Sequence, residues 1–167
     1  MLYRTHLAFA LIVGIIVWSW LGFREVYSNV WGLWAGGFIF FGLLSFAALI
    51  PDLDHPKSKL GHKIPKIAHF FHFMFGHRGF FHSLFFVVII SGVILLIFGN
   101  MISFPVMLGM LSHLLSDCLT KEGLNLIHPF NQLSIKGFIE TGSIAEFLIF
   151  ILAVIFILTT IFGRFII

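Results

Sequence analysis

Charge is scarce in this chain. Its 167 residues include ten Lys or Arg and seven Asp or Glu, a charged share of 10% against roughly a quarter in an ordinary soluble domain. Together with 59% hydrophobic residues and a mean hydropathy of +1.07, that shortage excludes a water-covered globular surface and points to a membrane protein. Cysteine is almost missing: Cys118 stands alone, which excludes an internal disulfide and says nothing about an oxidising compartment. A dense basic patch is also lacking. The net charge is only +3, and the basic residues gather mostly in one loop, as membrane-orientation signals do, so no nucleic-acid partner is expected. Internal repeats, heptads and low-complexity tracts are absent, and residues 1–167 are expected to form a single domain.

Two residue types are abundant, phenylalanine (23) and histidine (nine). Phenylalanine is ordinary filler on lipid-facing helices. An ionisable imidazole at membrane depth is costly and faces a protein interior or a watered cavity, so the positions of the histidines carry information. Apolar stretches approaching the about 20 residues needed to span run over residues 5–22, 31–50, 81–98, 102–119 and 143–162. The first has no small-residue cleavage pattern and carries His6 at its start, so it reads as a span rather than a secretory leader. The fourth, with Pro105, Ser112, His113, Ser116 and Asp117, reads as a span or a cavity-lining re-entrant helix. The expected fold is all-α, a polytopic bundle of about five transmembrane or membrane-embedded helices.

Two long connections, residues 51–80 and 120–142, are of a length that invites function. From His62 to Phe75 the first mixes Lys63 and Lys66 with four phenylalanines, a composition suited to the headgroup region or to a plain surface loop. Alternating spans place Arg4, Lys57, Lys59, Lys63, Lys66, Arg78, Lys121 and Lys136 on one side and only Arg24 and Arg164 on the other. The positive-inside rule then puts the N-terminus and both connections in the cytoplasm.

The same alternation collects ligand-type side chains at one face. His6 opens the first span. Asp52, Asp54 and His55 follow the second between Pro51 and Pro56, which break the helix. His77, Arg78 and His82 lead into the third. His113 and Asp117, four apart, share a face of the fourth, and Glu146 lies in the first turn of the fifth. Each has a plainer account. The aspartates can be solvated or capping groups, His113 and Asp117 an internal hydrogen bond, His6 an interfacial residue and Glu146 a partner of the helix dipole. His62, His69 and His72 go with the interfacial segment, and His55 and His128 have no assigned role. Co-location favours a metal site. Imidazole with carboxylate suits zinc, manganese or iron better than calcium or copper(I), and more than four ligands would support two ions acting on a phosphoryl group. The fork of donors on Arg78 suits a phosphate oxygen.

Three motifs, Leu49-Ile-Pro-Asp-Leu-Asp-His-Pro-Lys-Ser58, Gly76-His-Arg-Gly-Phe-Phe-His-Ser83 and Gly109-Met-Leu-Ser-His-Leu-Leu-Ser-Asp-Cys-Leu-Thr120, followed by Gly123 and Pro129, resemble the YdjM-like family of inner-membrane proteins regarded as metal-dependent hydrolases. The resemblance runs from His6 to Glu146. It implies kinship with zinc-dependent phospholipase C, His6, Asp52, Asp54, His82, His113 and Asp117 as metal ligands, and His77 and Arg78 near the substrate. One departure is Phe81, where the family usually has Thr. The expectation is a metal-dependent phosphoesterase acting on a membrane lipid at the cytoplasmic leaflet, holding zinc, with His77 moving a proton. The rivals are a divalent-cation transporter and a metal-stapled structural or regulatory subunit. Substrate and oligomeric state are not specified by the residues.

Overall fold

The structure is a computed structural model. It describes the chain except residues 56, 57, 59, 60, 67, 68, 70–78, 131–133 and 167, and, for side chains, residues 54 and 164–166.

Each expected apolar stretch is helical. Helix α1 covers Tyr3–Trp20, α2 Phe23–Trp31, α3 Leu33–Ala47, α4 Leu84–Phe98, α5 Asn100–Cys118 and α6 Ile144–Ile166. Among the described residues there is no strand, only two isolated bridges, Thr120 with Ile139 and Leu124 with Ile135. By length and composition α1, α5 and α6 can each cross a membrane, and the bent pair α2–α3 would make a fourth crossing. The expected all-α bundle of about five transmembrane or membrane-embedded helices is thus present, with three or four full crossings by length and composition. Helix α4 is apolar, but its 15 residues rise only about 22 Å, less than a ~30 Å hydrocarbon core.

The second stretch departs most from its expected form. A helical segment precedes it, and the two meet at 117°. Gly32 at the joint has φ +79°, a conformation that a side chain with Cβ resists, so the bend follows from the residue placed there. The sequence of α2, Phe-Arg-Glu-Val-Tyr-Ser-Asn-Val-Trp, is amphipathic and turns Tyr27 inward, 1% exposed. Its hydroxyl donates to the carbonyl of Met101 at 2.6 Å. That carbonyl lacks its usual helical donor because the residue four further on is Pro105, which has no N–H. Tyr27 thus satisfies a backbone group left open by a proline inside α5, as a low-dielectric setting demands.

Two packed regions stack along the bundle. One is aromatic, with Trp18, Tyr27 and Phe40 buried alongside Ala10, Val17 and Leu44, and Phe23 stacked on Phe104 at 4.3 Å. The other, nearer the end where α3 and α5 finish, joins Ala47, Phe86, Val106, Met110 and Leu114 with Leu124. Small residues allow the close approach of α3 and α5: a Cβ at Gly109 would stand 2.3 Å from the Leu44 carbonyl oxygen, the close backbone contact that membrane helices use in place of a hydrophobic driving force. Helix α6 packs mainly on α1.

Candidate metal centre

The end of the bundle where α3 and α5 finish and α1 and α6 begin is polar and buried. His113 and Asp117 are 0% and 2% exposed and face it from the last turns of α5. A carboxylate there meets two penalties, burial and the negative end of a helix dipole, and each calls for a nearby cation. The serines and threonine of this segment turn back on their own helix: Ser112, Ser116 and Thr120 donate to the carbonyls of Gly109, His113 and Asp117. They satisfy themselves and leave imidazole and carboxylate to face inward.

His113 is held from behind. Its Nδ1–H donates to the carbonyl of Ala48 at 2.7 Å, at the end of α3, which leaves Nε2 as a lone-pair donor toward the centre, the arrangement usual for a metal-binding histidine. His82 arrives from the 3-10 turn Phe80–His82, which is fixed in place by Ser83. That hydroxyl donates to Phe80 and caps α4 by accepting from the amide of Phe86. The Leu84 amide also donates to the Leu126 carbonyl. Phe81, where the family usually has Thr, is 6% exposed and packs on Phe86 at 4.7 Å. Its ring joins the core rather than supplying a hydroxyl. Asp52 comes from the 3-10 turn Pro51–Asp54, at 19% side-chain exposure the most open of the four groups.

His82 and His113 stand at the centre, with Asp52 to one side and Asp117 to the other. Nε2 of His82 and Nε2 of His113 are 3.4 Å apart. Each lies 4.0 Å from Asp52 Oδ1, and they lie 3.8 and 3.7 Å from Asp117 Oδ2. Tetrahedral donors around a zinc ion with bonds of ~2.0–2.2 Å stand about 3.3–3.6 Å from one another. The four nitrogen–oxygen distances and the 3.4 Å contact between the two imidazoles come within a few tenths of an ångström of such spacings. Two imidazoles and two carboxylates, one of them also paired with the Met1 amine, make a mixed nitrogen and oxygen donor set. The residues present therefore fit a metal of the zinc, manganese or iron type.

A second set adjoins the first. His6 stacks on His113 with centroids 3.9 Å apart, and its Nδ1 is hydrogen-bonded to Ser116 Oγ at 2.7 Å. Its Nε2 lies 3.5 Å from Asp117 Oδ1 and 3.1 Å from the Met1 carbonyl oxygen. The Met1 amine sits 2.6 Å from the same Oδ1. Asp117 thus turns Oδ1 toward His6 and the Met1 amine and Oδ2 toward His82 and His113. His6, His113 and Asp117 form one group able to hold an ion, and Asp52, His82 and His113 another.

Five of the expected ligands, His6, Asp52, His82, His113 and Asp117, are brought together. Glu146 is placed differently. It is 1% exposed, and its oxygens accept from the amides of Leu2 at 2.6 Å and Gly142 at 2.7 Å, tying the start of α6 to the start of α1. The Asp54 side chain, His72, His77 and Arg78 lie outside the described residues, as does most of the expected interfacial segment. His62 and His69 are exposed, and His69 donates to the Pro65 carbonyl. Sequence reasoning missed Ser116 and Ala48, the two groups that orient His6 and His113. Ser116 could have been found from its place one turn beyond Ser112, beside the Asp117 it supports.

A polytopic helical membrane protein with a buried histidine–aspartate cluster at one end of its bundle is what the fold and this site define. The chain belongs to the YdjM inner membrane protein family, whose model matches residues 1–166. It is 38% identical over 104 residues to the uncharacterized protein YvsG of Bacillus subtilis (strain 168), covering 61% of this chain and 65% of that one. With the inner membrane protein YdjM of Escherichia coli (strain K12) it shares 40% identity over 87 residues, 48% of this chain and 44% of the relative, and the YdjM of Shigella flexneri matches equally. The matches span between about half and two thirds of these relatives' lengths. No solved structure matches the chain.

Proposed function

We propose that the protein is a membrane-bound, metal-dependent hydrolase of a phosphoester, a lipid phosphate at the cytoplasmic leaflet. The observation that supports this most is the meeting of Asp52, His82, His113 and Asp117, from three separate parts of the chain, with the two imidazole Nε2 atoms 3.4 Å apart and each within 4.0 Å of both carboxylates. Asp52, His82 and His113 would hold one ion, and His6, His113 and Asp117 form the neighbouring group that could hold another. A divalent metal there supplies Lewis acidity toward a phosphoryl oxygen and acidifies water. The chain does the rest. Burial of His82, His113 and Asp117 keeps bulk water out, the Ala48 carbonyl holds His113 with Nε2 toward the centre, Ser116 anchors the His6 ring, and the partly exposed Asp52 marks the side of access. From the sequence, Arg78 is assigned to the phosphate and His77 to proton transfer.

Arg4, Lys63, Lys66, Lys121 and Lys136 lie on the side of the cluster, which supports a cytoplasmic placement for it. A transit site for cations would need donors toward both ends. Between Leu7 and Phe46 the chain has no His or Asp, and its only acidic residue is Glu25.

Metal analysis of the purified protein, joined to a screen of lipid phosphates, tests the reading. Asp117→Ala is expected to lose bound metal and to lower turnover by more than about a hundredfold, beyond the effect of removing a group that merely supports a ligand. Full turnover in that variant, or no turnover of any phosphoester by the metal-loaded protein, would sink it. Metal-dependent uptake of labelled zinc into liposomes would put a transporter in its place.

A further inference from the structure

The cleft between α1 and α6 has no part in the site described so far. At the end nearest the cluster it opens as a cavity of about 270 Å³, walled by Leu2, Arg4, Ser143, Glu146 and Phe150 among others. Arg4 and Phe150 also line a second space, a groove of about 290 Å³ that continues between Leu7 and Leu11 on α1 and Val154 and Leu158 on α6. Apart from Arg4, every residue lining the groove is apolar. Leu158 lies eight residues beyond Phe150, about 12 Å along the helix, so the groove covers most of the depth of one leaflet of a ~30 Å core.

Charge is distributed to match. Arg4 is exposed, with its guanidinium carbon 5.8 Å from the centroid of the Phe150 ring, and among the described residues no carboxylate lies within ion-pair distance of it. Glu146, the acidic residue of the same wall, has both oxygens engaged by the Leu2 and Gly142 amides. The start of α6 adds the positive end of its dipole. The wall is also shared with the cluster, since Leu2 follows Met1, whose amine touches Asp117.

We propose that this cleft seats an anionic glycerophospholipid, one acyl chain laid in the α1–α6 groove and the phosphate held against Arg4 in the cavity above. As the seat of the substrate the assignment rests on the hydrolase reading; as a lipid site it does not, and the two are tested apart.

The protein is reconstituted in nanodiscs of neutral lipid with either a phosphatidic acid or a diacylglycerol, both carrying a photoreactive group in the same acyl chain. The phosphate-bearing probe is expected to label α1 and α6 residues of the groove several-fold more than the neutral one. Arg4→Gln should remove about tenfold of that labelling, as loss of a charge-assisted hydrogen bond does, while metal content stays unchanged. Leu11→Trp, which fills the groove, should also reduce labelling. Equal labelling by both probes, indifference to Arg4→Gln, or capture of a second copy of the chain through the cleft would overturn the proposal. Groove labelling in a protein that turns over no phosphoester keeps the lipid site and removes the hydrolase. Turnover with labelling elsewhere does the reverse.

Discussion

The two ends of this bundle are made of opposite materials. Around α2 the interior is aromatic, with Trp18, Tyr27, Phe40 and Phe41 in mutual ring contact at 5.1–5.8 Å and one Tyr27 hydrogen bond to a carbonyl that a proline left open. At the other end the buried groups are His6, His82, His113, Ser116, Asp117, Thr120 and Glu146. Lipid is as apolar as a phenylalanine ring, so the aromatic end gains its stability from close packing rather than from leaving water. It needs nothing added. The polar end gathers imidazoles and carboxylates, Asp117 paired with the Met1 amine at 2.6 Å, and in a low-dielectric interior such a concentration of ionisable groups is costly and is kept where it serves a site. One end therefore reads as scaffold and the other as a site.

Paired substitutions can break that contrast. His113→Ala removes a donor common to both metal-binding groups and is expected to abolish metal binding, measured as metal per protein after purification. If the metal stays bound, the polar end is not organised as described. Phe40→Ala, at a ring that is 0% exposed, should cost about 2–3 kcal/mol in unfolding from detergent. That is the cavity part of the ~3–5 kcal/mol seen in water-soluble cores, and metal content should be intact. Loss of metal in this variant would show that the two ends are not separable. Tyr27→Phe sharpens the contrast at small scale. It leaves the Met101 carbonyl without its donor, for an expected loss of about 1 kcal/mol and no change in metal, read from the same unfolding experiment.

Much of the site was legible before any coordinates. Spacing four residues apart placed His113 and Asp117 on one helical face, and the alternation of spans placed Asp52 and His82 at the same end. Glu146 shows where such reading stops. Its position in the first turn of a helix is compatible with a ligand or with a helix-capping role, and only the nearby amides of Leu2 and Gly142 show which groups hold it. The bend at Gly32 was equally hidden, because hydropathy counts the apolar residues on either side of a glycine without registering its φ.

Composition and period alone determined that the chain lives in a membrane, that it is helical, and that its chelating side chains collect at one face, because the cost of charge in lipid and the 3.6-residue repeat act locally along the sequence. Tertiary structure decided which of those side chains meet. Convergence within 4 Å depends on the close approach of α3 to α5 at Gly109, on the Ala48 carbonyl behind His113 and on the turn that delivers His82. These are contacts between residues far apart in the chain, and no local pattern encodes them.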